Sequence, residues 1–148
     1  MSHFTEIKVN FLQKNEKALI AALEQKFGEG TVEVHENGAA LYGYTGDNRA
    51  NLSSSNPNYA PPCHLIIRRK NVGSASNDIG YRRLEDGTYA AYISDYDKGS
   101  HFTAADQKNV LQEYTANVAQ AQLKKQGYTL KKTKDKNGLI KLEAVKYV

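Results

Sequence analysis

Apolar and polar residues alternate through FTEIKVN at residues 4–10, which places Ile7 and Val9 on one face of a short strand with Phe4 out of step. The period then lengthens. Leu19, Ile20, Leu23 and Phe27 recur at helical spacing, Asn15 stands where a helix N-cap is needed, and Gly28 supplies a left-handed residue to end the helix. Extended pattern returns in TVEVHENGAALYGY, with Val32 and Val34 on one face. There Asn37-Gly38 separates two runs and predicts a hairpin, because both residues of a two-residue turn take positive φ.

All three prolines and a serine run fall in NLSSSNPNYAPP, residues 51–62, which bars a central strand and predicts an exposed loop inside one domain spanning residues 1–148. CHLIIRR is short and β-branched, as a buried strand is, and IGYRRLEDGTYAAYI writes a second hairpin with Asp86-Gly87 at its tip. The longest element is a helix over residues 104–126. Thr103 and Asp106 form its capping box, Val110, Leu111, Tyr114, Val118 and Ala121 form its apolar stripe, and Gly127 closes it. A third hairpin turns at Asn137-Gly138. Hairpins outnumber crossover units, so the fold class is α+β: a mainly antiparallel sheet built from three hairpins with two helices packed on one face.

A chain of 148 residues suffices for one core without covalent staples. Its single cysteine, Cys63, has no intrachain partner and reads as a small buried hydrophobe. No secretory leader and no run of eighteen apolar residues is present, which gives a cytoplasmic expectation and no membrane partner. Charge is uneven. Residues 1–120 hold 12 Lys and Arg against 14 Asp and Glu, whereas the last 28 residues hold eight lysines against Asp135 and Glu143. That basic end reads first as a solvated face and second as an attractor of phosphate or an acidic partner.

Reactive chemistry is sparse. His3, His35, His64 and His101 show no metal-ligand spacing with one another, with Cys63 or with a carboxylate, so no metal or cofactor is expected. No nucleophile elbow, Walker loop or dinucleotide fingerprint follows a strand. Asp95 and Asp97 in SDYDKG would share a face if extended, but such a pair more commonly caps a strand end before a helix.

The ten tyrosines suggest a different use. Tyr42 and Tyr44 are expected on one strand face, and Tyr81, Tyr89 and Tyr92 on the second hairpin; rings on an open sheet face near Arg49, Arg68 and Arg82 would stack bases. The plainer reading is that tyrosine fills half-buried sheet surface with its hydroxyl wet. In LYGYTGDNRA the two glycines read first as the residues that let a strand leave the sheet sharply.

The landmarks MSHF, LYGYTGDNRA, NDIGYRRLEDG, KKQGY and KNGLIKLE, in this order over nearly the whole chain, resemble the hypothetical chloroplast reading frame thirty-five family. The residues that carry the likeness are Ser2, His3 and Phe4; Gly43, Tyr44, Gly46, Arg49 and Ala50; Asp78, Gly80 and Tyr81; and Gln126, Gly127 and Tyr128. The resemblance implies a shared fold more than a reaction, a plastid, bacterial or viral intracellular setting, and a ring-forming ATPase as a protein partner. The loop at 51–62 departs from the family pattern as an insertion.

Together these readings nominate a non-enzymatic adaptor or protein-interaction domain. The alternative is a small binder of a nucleotide-like ligand or RNA, using Tyr42, Gly43, Tyr44, Gly46 and Arg49, with Asp78 and Tyr81 added from the resembling motif.

Overall fold

A computed structural model describes residues 3–146; Met1, Ser2, Tyr147 and Val148, and with them the first two residues of the MSHF motif, lie outside the described residues. In chain order the elements are β1 (Phe4–Val9), α1 (Glu16–Phe27), β2 (Val32–Ala39), β3 (Cys63–Ile67) and α2 (Arg69–Val72). They are followed by β4 (Ile79–Arg83), β5 (Tyr89–Ser94), α3 (Asp95–Lys98), α4 (Ala104–Lys125), β6 (Tyr128–Lys134) and β7 (Ile140–Lys146). The fold is α+β with antiparallel pairing throughout, a five-stranded sheet in the order β1-β5-β4-β3-β2 and a separate β6-β7 ribbon.

β2 to β5 form a meander, and β1 returns beside β5 with Phe4 opposite Ser94 and Val9 opposite Tyr89. Both helices lie against one face. Leu19, Ala22 and Leu23 of α1 and Val110 and Tyr114 of α4 meet Leu65, Ile67, Ile79, Tyr81, Tyr89, Ala91 and Ile93 of the sheet. The opposite face is covered too, because Leu41 and Ala60 from the long β2–β3 connection pack with Phe4, Cys63, Ile66, Ala90 and Tyr92. No open platform is left on this part of the sheet for stacked bases. β5 accordingly reads YAAYIS and is buried at all six positions.

The turn chemistry explains both agreements and corrections. At the β4–β5 tip Gly87 has φ +88°, and the Asp86 carboxylate accepts from the backbone and hydroxyl of Thr88. Asn137-Gly138 likewise closes β6 on β7, with Gly138 at φ +78°. The expected hairpin at Asn37-Gly38 does not form. Val34 pairs with Leu65 and Ala39 with Cys63, so residues 35–38 lie opposite only His64 and β2 continues past an excursion. Gly38 does take φ +81°, but its left-handed turn makes a bulge within one strand instead of reversing the chain.

Asn15 is a second correction. It stands in the N-cap position of α1 without a side-chain cap bond and instead donates Nδ2 to the Tyr114 hydroxyl at 3.3 Å, tying the start of α1 to α4. Thr103 and Asp106 form the expected capping box of α4. Among the described residues no helix is long and apolar enough to cross a membrane.

Candidate functional site

The stretch LYGYTGDNRA forms a miniature loop, not a strand. Tyr42 bridges to Asn48, Gly43 N–H donates to Asp47 O at 3.0 Å, and Gly46, at φ +83°, donates to Gly43 O at 2.9 Å. Asn48 then accepts from Ala50 N–H at 2.9 Å and starts a short helical turn. The loop wraps Arg49, which is 1% exposed. Its guanidinium lies 5.1 Å from the Phe4 ring centre, its Nε stands 3.0 Å from Asp47 Oδ2 as an ion pair, and Nη2 donates to Asn77 Oδ1 at 3.4 Å; neither Nε nor Nη1 makes a hydrogen bond among the described residues. Gly43 is required by proximity, since a Cβ there would lie 2.4 Å from Nη2.

Three consecutive buried polar residues before β4 hold this loop in place. Asp78 Oδ2 accepts from Tyr42 N–H and from Arg68 Nη1, both at 2.8 Å, and its Oδ1 accepts from Arg69 N–H at 2.7 Å. Asn77 accepts from Tyr44 N–H at 3.1 Å through Oδ1, and gives its Nδ2 to Ser94 Oγ at 3.0 Å and its backbone N–H to Asp97 Oδ2 at 3.0 Å. Ser76 meets His101 Nδ1 at 2.9 Å. One short segment therefore joins the 42–49 loop, the end of β5 and α3.

Of the nominated binding residues, Tyr42, Gly43, Tyr44, Gly46, Arg49 and Asp78 are brought to this corner. Tyr81 is not. It lies beneath the sheet, its ring centre 6.2 Å from that of Phe11, and burial pushes its hydroxyl well above the usual tyrosine range. The atoms of Arg49 and Asp78 that a ligand would need are turned inward. What the corner presents outward is Tyr42 and Tyr44, with the Arg68 guanidinium 5.8 Å from the Tyr42 ring, beside an open depression of about 410 Å³ that Arg69 and Lys70 also line.

The charges of this corner nearly cancel. Arg68 is held by Glu33 at 3.0 Å as well as by Asp78, so Arg69 and Lys70 are the cations of this depression left to attract an anion. Arg82 is elsewhere, donating to the Pro62 carbonyl. Asn77 was not nominated from sequence, and Arg68 was read there only as a cation near the tyrosine rings. A polar triplet ahead of an apolar strand is a visible signal, but what it ties together is set by the tertiary fold.

The carboxylates of SDYDKG do not work as a pair. Asp95 is exposed and faces Lys98 at 3.3 Å, while Asp97 is fully buried and accepts from Ser94 Oγ at 2.7 Å. Ser76, Ser100 and Asp97 all approach the same nitrogen of His101, at 2.9, 3.2 and 3.4 Å, and the other edge of the ring packs on Gly73. A proton relay uses the two imidazole nitrogens for different partners, so this cluster positions a loop. Among the described residues no three His, Cys, Asp or Glu side chains are grouped to hold a metal ion.

A second surface lies between α4 and the ribbon. The β6–β7 ribbon is clamped to α4 by the buried Glu113, which binds Lys132 Nζ and, at 2.8 Å, Lys134 Nζ. Burial acts to raise the Glu113 carboxyl, but the two lysine hydrogen bonds prevail and hold it below the usual range. Beside the clamp, α4 and β7 diverge and leave an apolar groove of about 450 Å³ lined by Leu111, Ala116, Ala119, Leu139, Ile140 and Leu142, among others. Leu111 is 47% exposed and Leu139 57%. Leu111 belongs to the apolar stripe read from the sequence, yet it faces this groove instead of the sheet core. A broader hollow of about 840 Å³ between the start of α1 and the end of α4 carries Lys14, Lys17, Lys125 and amide side chains, and has far less apolar character.

No family model matches the chain, and no curated protein or solved structure does.

Proposed function

We propose that this chain is a non-enzymatic protein-interaction module of the adaptor kind, and that the groove between α4 and β7 is where a partner docks. The observation that carries this reading is the pair Leu111 and Leu139, two large aliphatic side chains about half in water on facing walls of one groove. Covering the exposed part of each is worth about 1 kcal/mol, and unlike the outward Tyr42 and Tyr44 of the corner these side chains have no polar atom that must stay wet. An intracellular setting belongs to this proposal, and the family resemblance makes a ring-forming ATPase a partner to try. Partner capture with the intact chain tests it. Leu111→Asp with Leu139→Asp must abolish the complex without altering the thermal melt, and an unaffected complex would remove the groove from the account.

The corner supports a second reading, binding of a nucleotide-like ligand or RNA, because Arg68 stacks on the outward Tyr42 ring beside Arg69 and Lys70. Thermal shift measures it directly. A ligand at a hundred times its dissociation constant adds about 2.7 kcal/mol, and no shift with nucleotides or short RNAs would end it.

A further inference from the structure

We infer that the docking groove takes an acidic amphipathic helix. This rests on the interaction reading above and adds the chemistry of the partner.

The groove does not stop at Leu111. That side chain also lines a neighbouring hollow of about 390 Å³, whose floor includes Val9, Phe11 and Tyr81 and whose rim is Lys8 and Lys108. The two hollows share one face of α4. Ala104, Gln107, Lys108, Leu111, Gln112, Thr115 and Ala119 follow the i, i+3, i+4, i+7 rule, and residues 104 to 119 extend about 22 Å at 1.5 Å per residue. A second helix of about four turns fits that length. Its apolar residues would fall at Leu142, at Leu111 and over Val9 and Phe11, as in other helix-in-groove complexes.

Charge selects the partner. None of the residues lining either hollow is acidic, and Lys8 and Lys108 are exposed without a salt-bridge partner among the described residues. Beside Leu139 the ribbon continues the same sign: residues 128–146 carry Lys131, Lys132, Lys134, Lys136, Lys141 and Lys146 against Asp135 and Glu143, with Glu113 neutralising part of the Lys132 and Lys134 charge and Glu143 4.0 Å from Lys141. A second copy of this chain would bring the same lysines against these, which is repulsive. A helix with glutamates flanking its apolar stripe would meet cations along the groove, with steering and specificity that weaken as salt rises.

The test uses the intact chain and two synthetic helical peptides of about 16 residues. Both carry the same leucine stripe at i, i+3, i+4 and i+7, one with glutamate and one with lysine at the flanking positions. Fluorescence anisotropy at low and high salt reads affinity, and backbone amide shifts locate the site. The expected result is binding of the glutamate peptide at least about tenfold more tightly than the lysine peptide, with shifts at Leu111, Gln112, Thr115 and Leu139 and loss of affinity with salt. Lys8→Glu with Lys108→Glu, both surface changes, should reverse the preference. Equal binding of the two peptides in the groove overturns the acidic partner and leaves the groove as a docking surface. Shifts confined to the Tyr42 and Lys70 corner, or no binding by either peptide, overturn the inference itself. The docking reading is then decided separately by the Leu111 and Leu139 variants against the captured partner.

Discussion

Tyr42 and Asp78, 36 residues apart, hold one another at both ends of a closed ring: Tyr42 N–H donates to Asp78 Oδ2 at 2.8 Å and Asp78 N–H donates to Tyr42 O at 3.0 Å. Asp78 also holds the Arg68 side chain and the Arg69 amide, so its removal leaves the Tyr42 and Arg69 N–H groups without their acceptor, while Arg68 Nη1 keeps the Ala40 carbonyl at 3.0 Å. Asp78→Ala should lower the unfolding free energy by about 3 kcal/mol, and Asp78→Asn by less, since the amide oxygen still accepts. Urea titration reads both. Equal loss in the two variants would mean that acceptance at this position is not what secures the loop.

Gly43 should tolerate no side chain while Arg49 is present. Gly43→Ala drives a methyl into the Arg49 guanidinium and against Asp47 Oδ1, 2.5 Å from the Cβ position, and should cost about 2 kcal/mol, whereas in an Arg49→Ala background, where only the exposed-side Asp47 contact is left and that side chain is free to turn, the same change should cost less, about 1 kcal/mol. A double-mutant cycle measures the coupling. Strict additivity would show that some other contact sets the cost.

The Glu113 clamp gives a pH dependence. Its carboxyl is held below the ordinary value of 4.5 in the folded chain, so the unfolded chain takes up the proton first as pH falls. The stabilisation is complete above that ordinary value and is lost as pH drops through the lower folded value. Amide shifts of Thr133 and Leu142 should then move toward unfolded positions, while those of β5 stay. In Glu113→Gln the step should vanish and the ribbon should already be loosened at neutral pH.

Cys63 is buried against the position a Gly80 side chain would occupy, and burial pushes its thiol up to about 12. It should resist a thiol reagent at neutral pH until the chain unfolds, so its labelling rate in urea should follow the unfolding curve. Rapid labelling of the native chain would contradict the packing of the second core.

What the sequence made legible was local. The Thr103–Asp106 capping box and the Asp86-Gly87 and Asn137-Gly138 turns each need only residues within a few positions, and all three form. Asn37-Gly38 carries the same positive-φ signal, but a local signal does not say whether the chain reverses or continues past a bulge; pairing of Ala39 with Cys63 decides that. The corner was half legible for a related reason. Asp78 and Tyr81 stand three residues apart in one motif, yet Asp78 precedes the strand and turns to the 42–49 loop while Tyr81 points to the helices. Arg49, read as a ligand residue from its place beside two glycines, is consumed by Asp47, two residues away, and by Phe4 and Asn77, which only the tertiary fold brings near. The groove was invisible because Leu111 fits a helical stripe equally well whether the stripe meets a sheet or water.

The most direct measurement is calorimetric titration of the captured partner into three forms of the chain. With Leu111→Asp and Leu139→Asp together the affinity should fall about a hundredfold or more, the equivalent of about 2.7 kcal/mol, whereas Tyr44→Ala with Lys70→Glu should change it by less than about threefold. A complex that survives the first pair and is lost with the second would contradict the account and move the working surface to the tyrosine corner.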